Sequence, residues 1–423
     1  MRVFRITCAV LTLAALVATP RPVAAQSAAP AEALQQQIEL LRKELGDRIA
    51  ALEAQLAALK AAPPEPAPAP PLPEPAPPPP PDLPPMPSGG GAANSKVFNP
   101  DMAMIGNFLG FGGRNLVNPS PALEMAESEA SFQAVVDPYA RGDFFLSFGE
   151  QGVGLEEGFL TFSELPGKFQ VKVGKMRAAF GRVNGMHTHA LSWADRPLVT
   201  GNLVGGEDGI DDAGVSVARL IPAGTLFLEA TGQMFRGDSG DMLFKSSTRG
   251  DLSYVGHLRA YHDLTESTNL DLGASVSRGH NAAGLVDGVD VGRFTTTLYG
   301  ADATVHWRPL ARAIYHQFVG RTELVWSRRD QFDGQQQAFG YYVSGDYQFA
   351  RRWFAGGRYD RSARADAASI VDTGGAAVLT YRPSEFSQVR GQYRHIRFGD
   401  ASAAHEVLFQ LQFSIGAHGA HVF

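Results

Sequence analysis

Cysteine is almost missing from this chain of 423 residues: its single copy is Cys8, inside the first apolar stretch. Beyond that stretch there can be no disulfide, thiol nucleophile or thiolate metal site. Lysine is scarce too. Residues 96–423 hold 5 Lys beside 25 Arg, against 35 Asp and Glu. With a formal charge of −6, no basic run and no Cys/His finger spacing, no nucleic-acid partner is expected. Long apolar runs are also lacking. After the N-terminus nothing approaches the ~18 consecutive apolar residues that a spanning helix requires. That excludes a helical membrane bundle but not a membrane β-barrel, whose greasy face is diluted by a polar one.

What is present divides into four parts. "MRVFR", "ITCAVLTLAALVA" and "PVAAQ" read as a basic start, an apolar core and a small-residue cleavage site. This predicts a secretory signal peptide over 1–25 rather than a retained anchor. Over 31–61, Ile38, Leu45, Leu52 and Leu59 recur every seven residues. Ile49 and Leu56 fill the companion seam, with Gln35 and Arg42 making its start polar. The pattern predicts a short periplasmic coiled coil, too brief to stand alone, with a helix packed elsewhere on the protein as the alternative. Residues 62–94 are proline-rich and end in a glycine run. They read as an extended linker that could carry the coil toward the cell wall.

From about residue 95 the texture changes. Sixteen candidate strands, most of ten residues or more, alternate in polarity and end at turn residues. Val407, Phe409, Leu411, Phe413 and Ile415 are interleaved mostly with Glu406, Gln410, Gln412 and Ser414, the period-two signature of a half-buried strand. Segments 154–163 and 211–220 alternate poorly. Connections alternate short and long, from "DP" at 137–138 and "RPLAR" at 308–312 to the longest, 177–210. Trp307, Trp353, Tyr381 and Phe386 gather near the short turns, as in an interfacial girdle. A soluble sandwich would leave two edges, whereas a closed barrel has none. The predicted fold class is therefore all-β: a closed antiparallel transmembrane β-barrel of about 16 strands over 95–423. The terminal Phe423 suits the end signal of such barrels, although 416–421 interrupts the alternation.

"KFQVKVGKMRAAFGRVNG", "WADRPLV" and "DDAGVSVA" resemble a stretch of the phosphate-selective (O/P-type) outer-membrane porin superfamily. Val173, Gly174, Lys175, Phe180 and Gly181 carry the first part, and Arg196, Pro197, Leu198 and Val199 the second. The clear match covers 168–220. It implies a trimeric porin in the bacterial outer membrane whose third extracellular loop, here 177–210, folds inward as a constriction. The family's phosphate-selective members are associated with clustered lysines, and those are lacking here.

On this reading the chain is a passive channel for small hydrophilic solutes, with anions as a candidate preference, surrounded by outer-membrane lipid. A structural tether between membrane and cell wall, with a narrow or plugged barrel, is the alternative. The constriction candidates are Arg177, Arg182, His187, His189, Asp195, Arg196, Glu207 and Asp208. Lumen-facing basic candidates are Arg259, Arg321, Arg358, Arg390 and Arg394, while Glu127, Glu129, Asp143, Asp302, Glu323, Asp346 and Asp360 share their registers. Mixed charges of this kind also brace a barrel wall against itself. His187 and His189, two apart in a loop, are read as packing residues rather than metal ligands. His187, Ser192 and Asp195 could be drawn as a triad, but no G-x-S-x-G elbow surrounds Ser192. No catalysis, metal or cofactor is expected.

Overall fold

The computed structural model describes residues 100–149, 152–240, 243–400 and 402–416, together with Lys43. The expected leader at 1–25, linker at 62–94, terminal Phe423 and, Lys43 apart, coil at 31–61 lie outside the described residues. Eighteen strands follow one another: β1 (Asp101–Arg114), β2 (Leu123–Asp137), β3 (Ala140–Gly149), β4 (Gly152–Leu165), β5 (Phe169–Arg177), β6 (Asp211–Ala223), β7 (Leu226–Phe235), β8 (Ser253–Thr265), β9 (Thr268–His280), β10 (Leu285–Val286), β11 (Val289–Asp290), β12 (Thr295–Trp307), β13 (Gln317–Gln331), β14 (Gly334–Ala350), β15 (Trp353–Ala363), β16 (Val371–Ser384), β17 (Ser387–Arg397) and β18 (Ala403–Gly416). β10 and β11 are a two-residue ladder in the loop after β9. The other sixteen form a closed ring, each hydrogen-bonded to its chain neighbours, with β1 meeting β18. All barrel pairings are antiparallel, so no edge is left open.

Period two explains both faces. Along β18, Val407 and Ile415 are 58% and 62% exposed on the outside, while Glu406 and Gln410 are 5% and 0% exposed within. β9 repeats the pattern, with Leu272 and Val276 outside and Asp271, Ser275 and Ser277 buried. One rim carries tight turns, between Asp137 and Ala140, Ala223 and Leu226, and Ala350 and Trp353. Trp353 and Tyr381 meet beside such turns, their tilted rings 4.7 Å apart. The opposite rim carries 178–210, 236–252 and 281–294.

Several boundaries differ from expectation, two of them at loops. β1 runs to Arg114 rather than 107, because "GFGGR" keeps its register with β18 as far as Arg114 opposite His405. The connection at 308–312 extends through residue 316 and contains a 3-10 turn, Leu310–Arg312. A third difference explains the poor alternation of 154–163. Phe145 pairs with Glu157 and Leu146 with Leu155, so Glu156 is an extra residue, a β-bulge. The bulge breaks parity, and the consecutive Glu156 and Glu157 both reach the same histidine in the interior.

The main apolar cluster lies inside the ring. Phe180, Val183, Leu191, Trp193, Val199, Leu203 and Ile210 come from the connection between β5 and β6. They pack with Leu298, Val325, Tyr342 and Val378 of the wall.

Candidate functional site

The β5–β6 loop enters the barrel through a stapled neck. Arg177 and Asp211 close the ladder, and Ala178 N donates to Ile210 O at 2.8 Å. Asn184 then ties the neck from within. Its Nδ2 donates to the carbonyls of Ala178 and Ile210, and its Oδ1 accepts from Ile210 N at 2.7 Å. Beyond the neck, the loop's fully buried apolar side chains each contribute about 1.5–3 kcal/mol by leaving water. Trp193 stands edge-on to Tyr342 at 5.4 Å, with the Arg358 guanidinium 4.9 Å from the Trp193 ring. A short helix, α1 (Leu198–Leu203), lies along β14 and β15. Its first amide, Leu198 N, donates to Asp360 Oδ1 at 3.2 Å.

Three polar attachments fix the loop to the wall. Just past the neck, Gly181 N donates to Ser275 Oγ at 2.9 Å, and Val183 N to Glu323 Oε2 at 3.3 Å. Gly181 has φ +59°, and a Cβ there would collide with the Glu323 carboxylate. Glycine is thus required twice, for the left-handed backbone and for the close approach. The second attachment is Asp195. Its Oδ2 lies 3.1 Å from both Arg358 and Arg394, and its Oδ1 accepts from Gln392 at 2.5 Å. Burial opposes the charge of Asp195, but Arg358, Arg394 and Gln392 outweigh it and hold the carboxyl below its ordinary range. Arg390 adds a bond to Leu191 O at 2.9 Å, and Arg321 one to Ser192 Oγ at 3.2 Å.

The third attachment is His187. Its Nδ1 lies 2.8 Å from Glu129 and 2.7 Å from Glu156, and its Nε2 lies 2.8 Å from Glu157. Burial works against the imidazolium, but the hydrogen bonds to the three glutamates prevail and push His187 up to about 11. His189 is buried beside it, with ring centres 5.5 Å apart.

The sequence candidates therefore separate by role. Arg177, His187, His189, Asp195 and Arg196 are internal fastenings: Arg177 donates to Asp208 O at 2.8 Å, and Arg196 to the carbonyls of Val183 and Met186. Glu207 and Asp208 are exposed. Arg182 keeps part of its side chain accessible and reaches Asp271 at 3.8 Å. Asp271 is also gripped through two oxygens by Arg259. Of the wall arginines, Arg358, Arg390 and Arg394 hold the loop, Arg259 holds Asp271, and Arg321 joins Asp346 at 2.7 Å. Glu156, Glu157, Asn184 and Gln392 escaped sequence reading. The adjacent glutamates in a strand of broken alternation were a usable signal for a bulge. The two amides carried no signal.

No family model matches the chain. A protein of Aquifex aeolicus (strain VF5), described only as uncharacterized, is 28% identical over 385 residues, covering 78% of this chain and 81% of that protein. Among solved structures, an anion-selective porin from Comamonas acidovorans matches with a TM-score of 0.53 at 10% identity, covering 75% of this chain and 99% of the other. A trimer form of OmpT, an outer membrane protein of Vibrio cholerae, matches at 0.50 with 13% identity, covering 75% and 100%. At these identities the likeness establishes a shared fold, the closed sixteen-stranded barrel.

Proposed function

We propose that the chain is an outer-membrane porin, a passive diffusion channel for small hydrophilic solutes with a modest preference for anions. A ring with aliphatic rows outside and polar rows inside suits hydrocarbon on one side and water on the other. The observation that carries the channel reading is the seating of loop 178–210. It lies against the wall on dedicated fastenings, while Arg182 of the loop and Arg259 of the wall remain partly accessible. A narrowed passage lined by charge sorts solutes by size and sign.

The anion preference is supported by three guanidinium groups, of Arg182, Arg259 and Arg321, that contact two carboxylates, Asp271 and Asp346. Asp302 neighbours the same wall, opposite Gly273 and Glu323 in register, which keeps the preference modest. The resemblance of 168–220 to phosphate-selective porins supports anions as a class. Homotrimeric assembly is proposed by analogy with the trimer form of the Vibrio cholerae protein.

The apolar cluster inside the ring favours one second reading. There the barrel is too narrow to conduct, and the protein ties membrane to cell wall through residues 31–91. Planar-bilayer recording separates the two. A channel gives stable conductance steps and a reversal potential displaced toward the anion across a salt gradient. Silence in the bilayer supports the tether, and cation preference removes the anion assignment. Purified protein that stays a compact monomer without detergent overturns both.

A further inference from the structure

We propose that Glu129, His187 and His189 form a binding site for a divalent first-row transition ion, zinc above all, with Glu156 at the fourth position. One ligand atom from each of the first three residues can be chosen so that all lie within 4.8 Å of one another. His189 Nδ1 is 3.7 Å from Glu129 Oε2, and the same oxygen is 2.8 Å from His187 Nδ1. Glu156 Oε2 approaches that nitrogen from another strand at 2.7 Å. Donors around a tetrahedral zinc ion stand about 3.3 Å apart, as bonds of 2.0–2.1 Å require. These three pairs come to that spacing with shifts of about half an ångström, and donors standing as far as 4.8 Å apart must close by about 1.5 Å, as the ion takes the place of the His187 Nδ1 proton.

Three features separate this group from an ordinary buried ion pair. First, the chemistry is selective: two imidazoles with carboxylates suit zinc and its neighbours, not the all-oxygen sites of calcium or magnesium. Second, the backbone orients the pair. His187 is extended (φ −67°, ψ 151°) and leads directly into the 3-10 turn Thr188–Ala190. Ala190 N returns to His187 O at 3.0 Å, so both rings reach Glu129. Third, the outer support already exists. His187 Nε2 faces Glu157 Oε1 at 2.8 Å, and Glu157 Oε2 is held by Arg177 N at 3.0 Å. A carboxylate behind the non-ligating nitrogen is the arrangement that orients metal-bound histidines. Arg177 also lies 3.5 Å from Glu156. With His187 bound as the neutral imidazole, three carboxylates and one guanidinium carry a formal charge that one divalent cation balances.

The site would bind β2, β4 and the loop into one unit, whatever solute the barrel passes. The test uses the full mature chain in detergent, stripped of metal, with His418→Ala and His421→Ala as background so that those two imidazoles cannot contribute. Titration with Co2+ should give one equivalent with tetrahedral visible absorption, displaced by Zn2+, and Zn2+ should protect the loop from protease. His189→Ala should weaken binding at least tenfold. Glu129→Gln, close in shape to the original, should do the same if the alanine variant fails to fold. Glu157→Gln should weaken it about tenfold while leaving all four donors. Absence of a stoichiometric Co2+ spectrum overturns the proposal. So does unchanged affinity in folded His189→Ala or Glu129→Gln protein.

Discussion

Asp195 Oδ2 lies 3.1 Å from a guanidinium nitrogen of Arg394, across 199 residues of sequence. Arg394 also holds Glu406 at 2.8 Å, and the other arginine on Asp195, Arg358, holds Asp360 at 2.8 Å. The loop's middle is therefore locked into a five-member charge lattice rather than a single pair.

Asp195→Asn should free this part of the loop without unfolding the barrel. Removing one partner of a buried pair costs about 3–5 kcal/mol. The remaining carboxylates on Arg358 and Arg394 keep the loss at the lower end. The expected result is noisier single-channel current and faster proteolysis within 191–200, with unchanged β-sheet content by circular dichroism.

Acid should act on the same lock. The Asp195 carboxyl is held below its ordinary range in the folded chain. Its contribution is complete above the unfolded value of about 3.9 and is lost as pH falls through the lower folded one. Loop proteolysis should be flat from pH 7 to about 4 and rise below that. Asp195→Asn should be flat throughout. A wild-type transition near neutrality would show that another group governs the loop.

Gly181→Ala probes the first of the three attachments. A left-handed conformation costs a non-glycine residue about 1–3 kcal/mol, and the added methyl group meets Glu323. Conductance should change and the thermal midpoint should fall. Gly185→Ala is the control, since a Cβ there meets nothing within 4 Å. Equal effects from the two variants would refute the proposed contact.

Arg182→Glu tests selectivity. It reverses a charge on the loop's accessible side without removing a fastening to the wall other than the 3.8 Å approach to Asp271. The reversal potential should move toward cations, most strongly at low salt, where screening is weakest. Arg390→Gln, which alters a buried loop support, should shift it much less.

Most of the fold could be read from the chain because period two, turn residues and strand length all point the same way. β9 and β18 show the alternation plainly. It failed where the backbone departs from a regular ladder. Glycines allow β1 to continue through "GFGGR", and the bulge at Glu156 reverses parity for half a strand. For the loop, length and position were visible but roles were not. His187, Asp195 and Arg182 are all polar residues in one irregular segment, and only their partners distinguish fastening from lining. Those partners, Glu129, Arg394 and Asp271, lie 58, 199 and 89 residues away.

The join between first and last strands has an internal stitch. Ala194 belongs to one buried cluster with Leu109 of β1 and Leu408 of β18, and Gln410 donates to Asn107 across the same line at 2.8 Å. The β5–β6 loop therefore also helps to clasp the cylinder shut. The inserted loop and the closed sheet thus support one another, and a half-assembled cylinder would lack part of the seat on which the loop rests.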